Sequence, residues 1–310
     1  MEEQIAGFLA SLNGDRGFSG NTVAAYRNDL GQFAVFLQES HHLQDWRELD
    51  TRHLTDYVLN LRERDYAKST VARKVAAVKS FCHYLQEQNI VHDDLASNVP
   101  SPKVEKFIPK AITPDQVQRL LEQPANDLAP ESLRDKAMLE TLYATGVRVS
   151  ELTALDVNNV DLMKRELQCG TRPERSRCVP LTDEAIEAIE HYLRVGRPFL
   201  RQAPTEPALF LNHRGTRLTR QGFWLILKAY AEAAHIGDIT PHTIRHSFAA
   251  HALTRGSQLR DIQQILGHMS ITTTQVYQRV AAQVAGKELS NGQHAVAEPI
   301  AACYDSESPK

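Results

Sequence analysis

Residues 238–253 read DITPHTIRHSFAAHAL and residues 265–280 read ILGHMSITTTQVYQRV. In the first stretch Thr240 is an N-cap and Pro241 suits the first helical position, so a helix begins there with His242 and Arg245 three residues apart on one face. Both can point at one anion. In the second, Gly267 breaks a helix, His268 follows at the turn, Ser270 caps a new helix and Tyr277 lies within it. A tyrosine on a short helix is ordinarily core packing. Here the polar run Thr272, Thr273, Thr274 and Gln275 leaves the helix poorly suited to bury the ring, which makes the phenol a candidate reacting group. His246 stands four residues after His242, a spacing that suits metal ligands. Thr243, however, occupies the place of the glutamate in a His-Glu-x-x-His site, and Arg245 would repel a cation.

Upstream, residues 144–155, ATGVRVSELTAL, place Arg148 between a glycine that can end one helix and the start of the next. A helix start offers free N–H groups and a positive dipole to an anion, so an arginine there is well placed for a phosphate. Taken alone, an Arg148 paired with Glu151 is more often structural. Together, two arginines and two histidines around a tyrosine suit phosphoryl transfer to a phenol. With an unperturbed pKa of about 10, a tyrosine hydroxyl is a weak nucleophile unless its proton is removed and cations favour its oxyanion. Arginines supply always-charged bidentate donors to the non-bridging oxygens, so this chemistry calls for no metal and no other cofactor.

Residues 1–90 read as four helices, with Val23, Tyr26, Leu30, Phe33, Phe36 and Leu37 on the stripe of the second. The fourth carries Arg73, Lys74 and Lys79 away from its apolar face, and these form either a candidate phosphate-facing edge or an ordinary solvated face. From 91 to 110 the periodicity fails around Pro100, Pro102 and Pro109, as in a linker, whose Lys103, Lys106 and Lys110 would suit a strap along a DNA backbone and are equally those of a plain solvated linker. Thr113 and Pro114 open a second unit over 111–290, helical except for alternating stretches around 163–169 and 176–181 that read as a small β-hairpin. The fold class is mainly α with a small β-sheet (α+β). Residues 291–310 read as a polar, disordered tail.

The chain has 310 residues, 42% hydrophobic and 24% charged, within the range of globular proteins. Its net charge of −3 gives no global pull toward a polyanion, although a basic face can hide in that average. Cys82, Cys169, Cys178 and Cys303 form no Cys-x-x-Cys pair and read as reduced thiols. The acidic start MEEQIAGFLASL is unlike a signal peptide and no apolar run is long enough to span a bilayer, so a cytoplasmic protein without membrane contact is expected.

Residues 133–162, LRDKAMLETLYATGVRVSELTALDVNNVDL, followed by ITPHTIRHSFAAHAL and IQQILGHMSITTTQVY, resemble the tyrosine recombinases, most closely the Xer type, in order and approximate spacing. The resemblance implies a SAM-like, DNA-binding helical unit followed by a catalytic unit. It implies that Arg148, Arg245 and His268 bind the scissile phosphate, that His242 assists proton transfer, and that Tyr277 attacks to form a 3′-phosphotyrosyl link without ATP. The family places a lysine in the β-hairpin as general acid. Residues 171–181, TRPERSRCVPL, put Arg172 there, a poor proton donor that can still stabilise a leaving oxyanion. The implied partners are a double-stranded DNA site, a tetramer of this chain alone or with a paralogous recombinase, and a DNA translocase as activator. Resolution of chromosome dimers is the leading biological role, with a phage- or transposon-type integrase and a catalytically weakened architectural DNA-binding protein as alternatives.

Overall fold

A computed structural model describes residues 1–14, 18, 20–97, 99, 109–126, 129–170 and 176–291. The chain divides into two compact units, Met1–Phe107 and Ile108–Lys310. Arg172, Lys103, Lys106, Cys303 and residues 292–310 of the expected tail lie outside the described residues.

The first unit contains α1 (Glu2–Gly14), α2 (Gly20–His41), α3 (Thr51–Glu63) and α4 (Lys68–Glu87). Asp50 caps α3 by accepting from the His53 N–H, and the His53 ring accepts in return from the Asp50 N–H. The apolar faces meet in an aromatic cluster. Phe33 stacks on Trp46 and lies 4.8 Å from the Tyr57 ring, and Trp46 meets Phe81 edge-on. Large tilted and edge-on rings of this kind bury much area and fix the angles at which helices cross.

The sequence reading of Arg73 and Lys74 as a phosphate-facing edge requires correction. Asp29 sits on the apolar side of α2 and is fully buried, and α4 answers it with both cations. Lys74 is 2% exposed. Its Nζ donates to Asp29 at 2.9 Å and to Gln32 at 2.7 Å, and lies 5.3 Å from the centre of the Tyr66 ring. Arg73 bonds the other Asp29 oxygen. A buried carboxylate must be paired or strongly disfavoured, so Lys74 is committed to the interior, and Arg73, although exposed, is held by the same carboxylate.

The second unit contains α5 (Pro114–Glu122), α6 (Pro130–Thr145), α7 (Val149–Ala154), β1 (Val160–Asp161), β2 (Glu166–Cys169), β3 (Arg177–Pro180), α8 (Asp183–His191), α9 (Arg197–Leu200), α10 (Arg220–Ala233), α11 (Pro241–Thr254), α12 (Leu259–Leu266) and α13 (Ile271–Asn291). The strands form an antiparallel sheet in the order β1-β2-β3, with Leu167 opposite Val179. α6 is the axis of this unit. It packs against α5, α7, α8, α9 and α11, so it is buried nearly all round and shows no single apolar stripe. Its interior polar groups are paired: Lys136 with Glu140 at 2.7 Å, and Arg134 with Asp135 at 2.7 Å.

α6 stops at Gly146, whose φ of 57° is left-handed. A Cβ there would stand 2.4 Å from Phe248 and 2.9 Å from Leu266, so only glycine both ends the helix and lets α11 and α12 close on it. That turn delivers Arg148 to the start of α7, while α11 packs against both α6 and α13.

Asp29→Ala leaves Lys74 as an uncompensated buried cation and should lower the stability of the first unit by about 3 kcal/mol. Urea unfolding followed through Trp46 fluorescence in a Trp224→Phe background measures this. Adding Lys74→Met should recover part of the loss, and a loss well under about 1 kcal/mol for Asp29→Ala alone would contradict the pairing.

Candidate active site

Three helix ends converge in the second unit. The centre is Arg245, 3% exposed. One Nη donates to the Gly146 carbonyl at 2.5 Å, and the other donates to the Leu266 carbonyl at 2.7 Å and reaches His268 Nε2 at 3.1 Å. Arg148 is half exposed beside it, with an Nη 3.5 Å from the Gly267 carbonyl. His268 Nδ1 meets Thr274 Oγ1 at 3.0 Å. Because arginine only donates, His268 Nε2 must accept, which assigns the ring proton to Nδ1 and its bond to Thr274.

The sequence-expected residues Arg148, Arg245, His268 and Tyr277 therefore come together, and His242 joins them at the exposed start of α11. Tyr277 departs from expectation in one respect: it is 3% exposed. The polar run before it fixes α13 at its start, and the ring turns inward between His246 and His268, whose centroids lie 5.5 Å and 6.2 Å away. Its hydroxyl is 2.9 Å from His246 Nδ1.

Electrostatics mark the cluster as short of negative charge. Burial, and then the charge of Arg148, lower the Arg245 pKa to about 10. Among the described residues no carboxylate pairs with Arg245. Burial and the same arginines push His268 down to about 4, and burial followed by His242 and Arg245 does the same to His246. His242 is lowered by burial and by both arginines. Burial raises the Tyr277 phenol, opposed by Arg245 and Arg148. An anion entering here favours the charged forms of Arg245, His242, His246 and His268 together.

Arg177 was not singled out from sequence, and Glu151, Gly267 and Thr274 entered it only as a structural pair, a helix break and part of a polar run. Arg177 on β3 donates to both Glu151 oxygens at 2.8 and 3.2 Å and to the Ile265 carbonyl at 2.6 Å, tying the sheet to α7 and α12. Glu151 also accepts from the Arg148 N–H at 2.8 Å. Burial alone would raise the Glu151 carboxyl, and these bonds hold it below its ordinary range. Gly267, with φ 62°, leaves room for Arg177, since a Cβ would come within 3.0 Å of its Nη1. Thr274, three residues before Tyr277, holds His268 Nδ1. His246 entered the sequence reading only as a failed metal ligand. In the structure its Nδ1 is on Tyr277, and its ring lies 6.2 Å from that of His242. Among the described residues no group of His, Cys, Asp or Glu is placed to hold a metal ion, and no helix is long and apolar enough to cross a membrane.

A two-unit helical chain with this cationic pocket over a tyrosine has the form of a DNA strand-exchange enzyme. The chain belongs to the phage integrase family: residues 110–284 match the model of that family, and residues 5–89 match its N-terminal SAM-like domain. It is 52% identical over 281 residues to tyrosine recombinase XerC of Herpetosiphon aurantiacus, covering 91% of this chain and 92% of that one. It is 40% identical to tyrosine recombinase XerD of Halalkalibacterium halodurans, covering 90% and 94%. Among solved structures, the XerH site-specific recombinase bound to a palindromic difH substrate shares the fold with a TM-score of 0.74 at 19% identity, covering 88% of this chain and 80% of that one.

Folded His246, His251 and His268, lowered to about 4, stay neutral where an unfolded histidine takes a proton near pH 6.5. The stability they contribute is therefore fully present above about pH 6.5 and is lost as pH falls toward about 4. The thermal midpoint of the catalytic unit should drop between about pH 7.5 and 5, and the three imidazoles should still be neutral by NMR at about pH 5.5. A midpoint that rises on acidification would contradict the shifts.

Proposed function

We propose that the chain is a site-specific recombinase that cuts and rejoins double-stranded DNA through a 3′-phosphotyrosyl link on Tyr277. The observation that carries this reading is the Arg245 cluster: two arginines and a histidine, with no carboxylate paired to Arg245 among the described residues, stand beside a tyrosine hydroxyl. Family membership and relatives named tyrosine recombinases support it.

The scissile phosphate enters between Arg148 and Arg245, which donate to its non-bridging oxygens. Its charge offsets the field that keeps His268 neutral, so the ring becomes able to donate to the same group. Tyr277 Oη attacks phosphorus and the bond to the 5′-oxygen breaks. His242, at the exposed mouth of the site, assists proton transfer, and Arg172 stabilises the leaving oxygen electrostatically. A 5′-hydroxyl from another strand then reverses the attack. The phosphodiester energy is held in the phosphotyrosine, so neither ATP nor a metal ion takes part. Strand exchange needs four active sites on two DNA sites, filled by this chain alone or with a paralogous recombinase. Resolution of chromosome dimers, with a DNA translocase as activator, is the role in keeping with Xer-type relatives.

The test is a nicked duplex carrying the recombination site, incubated with the protein in excess chelator. A covalent protein–DNA band should form with the wild type and vanish in Tyr277→Phe, while DNA binding persists. An adduct that survives in Tyr277→Phe, or one that requires Mg²⁺, would overturn the reading.

A further inference from the structure

His246 takes no part in the phosphoryl transfer proposed for this site, although its Nδ1 lies 2.9 Å from the hydroxyl of Tyr277. A buried phenol needs a partner for its O–H, and a loss of that partner leaves the group both unsatisfied and free to turn. His246 is well suited to be that partner. It follows Arg245 on α11, and Arg245 is fixed by bonds to Gly146, Leu266 and His268, so the backbone that carries His246 is held on three sides. Its ring lies against both His242 and Tyr277. α11 and α13 pack closely together, so this bond spans the interface between the helix of the phosphate-binding cluster and the helix of the tyrosine.

We propose that His246 is a positioning residue for the nucleophile: its Nδ1 accepts the Tyr277 O–H and holds the phenol against α11, so that the oxygen stands at the phosphate-binding cluster before DNA arrives. The proposal rests on Tyr277 as the attacking residue.

The charge state of the ring separates holding from proton removal. A neutral imidazole is the accepting form, and burial together with the His242 and Arg245 charges keeps this ring neutral, with a pKa near 4. A base so much weaker than a phenolate is a poor acceptor of the phenol proton in the resting site, because general-base catalysis works best near the operating pH. Its contribution is orientation. Misplacing a reacting atom by about 1 Å costs on the order of 100-fold in rate.

The asparagine side chain carries its amide oxygen close to where Nδ1 of histidine stands, whereas glutamine reaches past it, so the two amides separate position from polarity. Single-turnover cleavage of the nicked duplex is compared for the wild type, His246→Ala, His246→Asn, His246→Gln and Tyr277→Phe, with thermal midpoints and DNA affinity measured alongside. His246→Ala should cleave about 100-fold more slowly with DNA affinity within about twofold of wild type. His246→Asn should recover most of that loss and His246→Gln little of it.

Wild-type cleavage by His246→Ala, or equal rates for folded Asn and Gln variants, overturns the proposal while leaving Tyr277 as nucleophile intact. An adduct in Tyr277→Phe overturns both readings. Should His246→Ala fail to fold, the comparison of Asn with Gln decides the matter alone.

Discussion

The guanidinium of Arg245 is the interaction on which the second unit depends. It is buried without a carboxylate among the described residues, and its donors end on the last carbonyls of two helices, those of Gly146 and Leu266, and on His268. Helix ends carry orphan carbonyls and partial negative charge, which is the environment that tolerates a buried arginine. One side chain thus pins the turn that presents Arg148, the turn that presents His268 and the helix that carries His242 and His246. The neutralisation is partial, and the remaining positive charge is what a phosphodiester would complete.

A second layer keeps the first from collapsing. Glu151 could have drawn Arg148 and Arg245 into a closed ion pair. Its two oxygens are instead occupied by Arg177 and by the Arg148 backbone, with the Arg148 guanidinium at a looser 3.6 Å. The acid therefore orients the arginine more than it quenches it. Removing the Glu151 carboxylate would strand Arg177 in a half-buried setting, so structure and binding are coupled at this point.

Local signals made much of this legible. The Thr-Pro starts of α5 and α11 and the glycine ends of α6 and α12 are short-range chemistry, and the helices begin and end there. The β2–β3 pairing follows from alternation. What escaped the sequence was long-range or context-dependent. Asp29 and Lys74 are 45 positions apart, so a basic helix face could not be told from a buried pair. Arg177 and Glu151 meet across 26 positions, and Tyr277 turns inward because His246, 31 positions earlier, satisfies its hydroxyl. β1 is only two residues long, and α13 runs on to Asn291 through small and polar residues that carry no sharp stop. Arg172, the departure from the expected lysine, lies outside the described residues, so its place in the chemistry rests on sequence alone.

The proposed chemistry has Arg148, Arg245 and His268 binding the transferring phosphoryl group, with Tyr277 in line to attack it. A crystal structure of the chain on a nicked duplex lacking the scissile phosphate, with orthovanadate in its place, tests this directly. The expected result is a five-coordinate vanadium joining Tyr277 Oη to the DNA, with its equatorial oxygens about 3 Å from the two guanidiniums and the His268 ring. Vanadate held by other groups, or Tyr277 turned away from it, would contradict the claim.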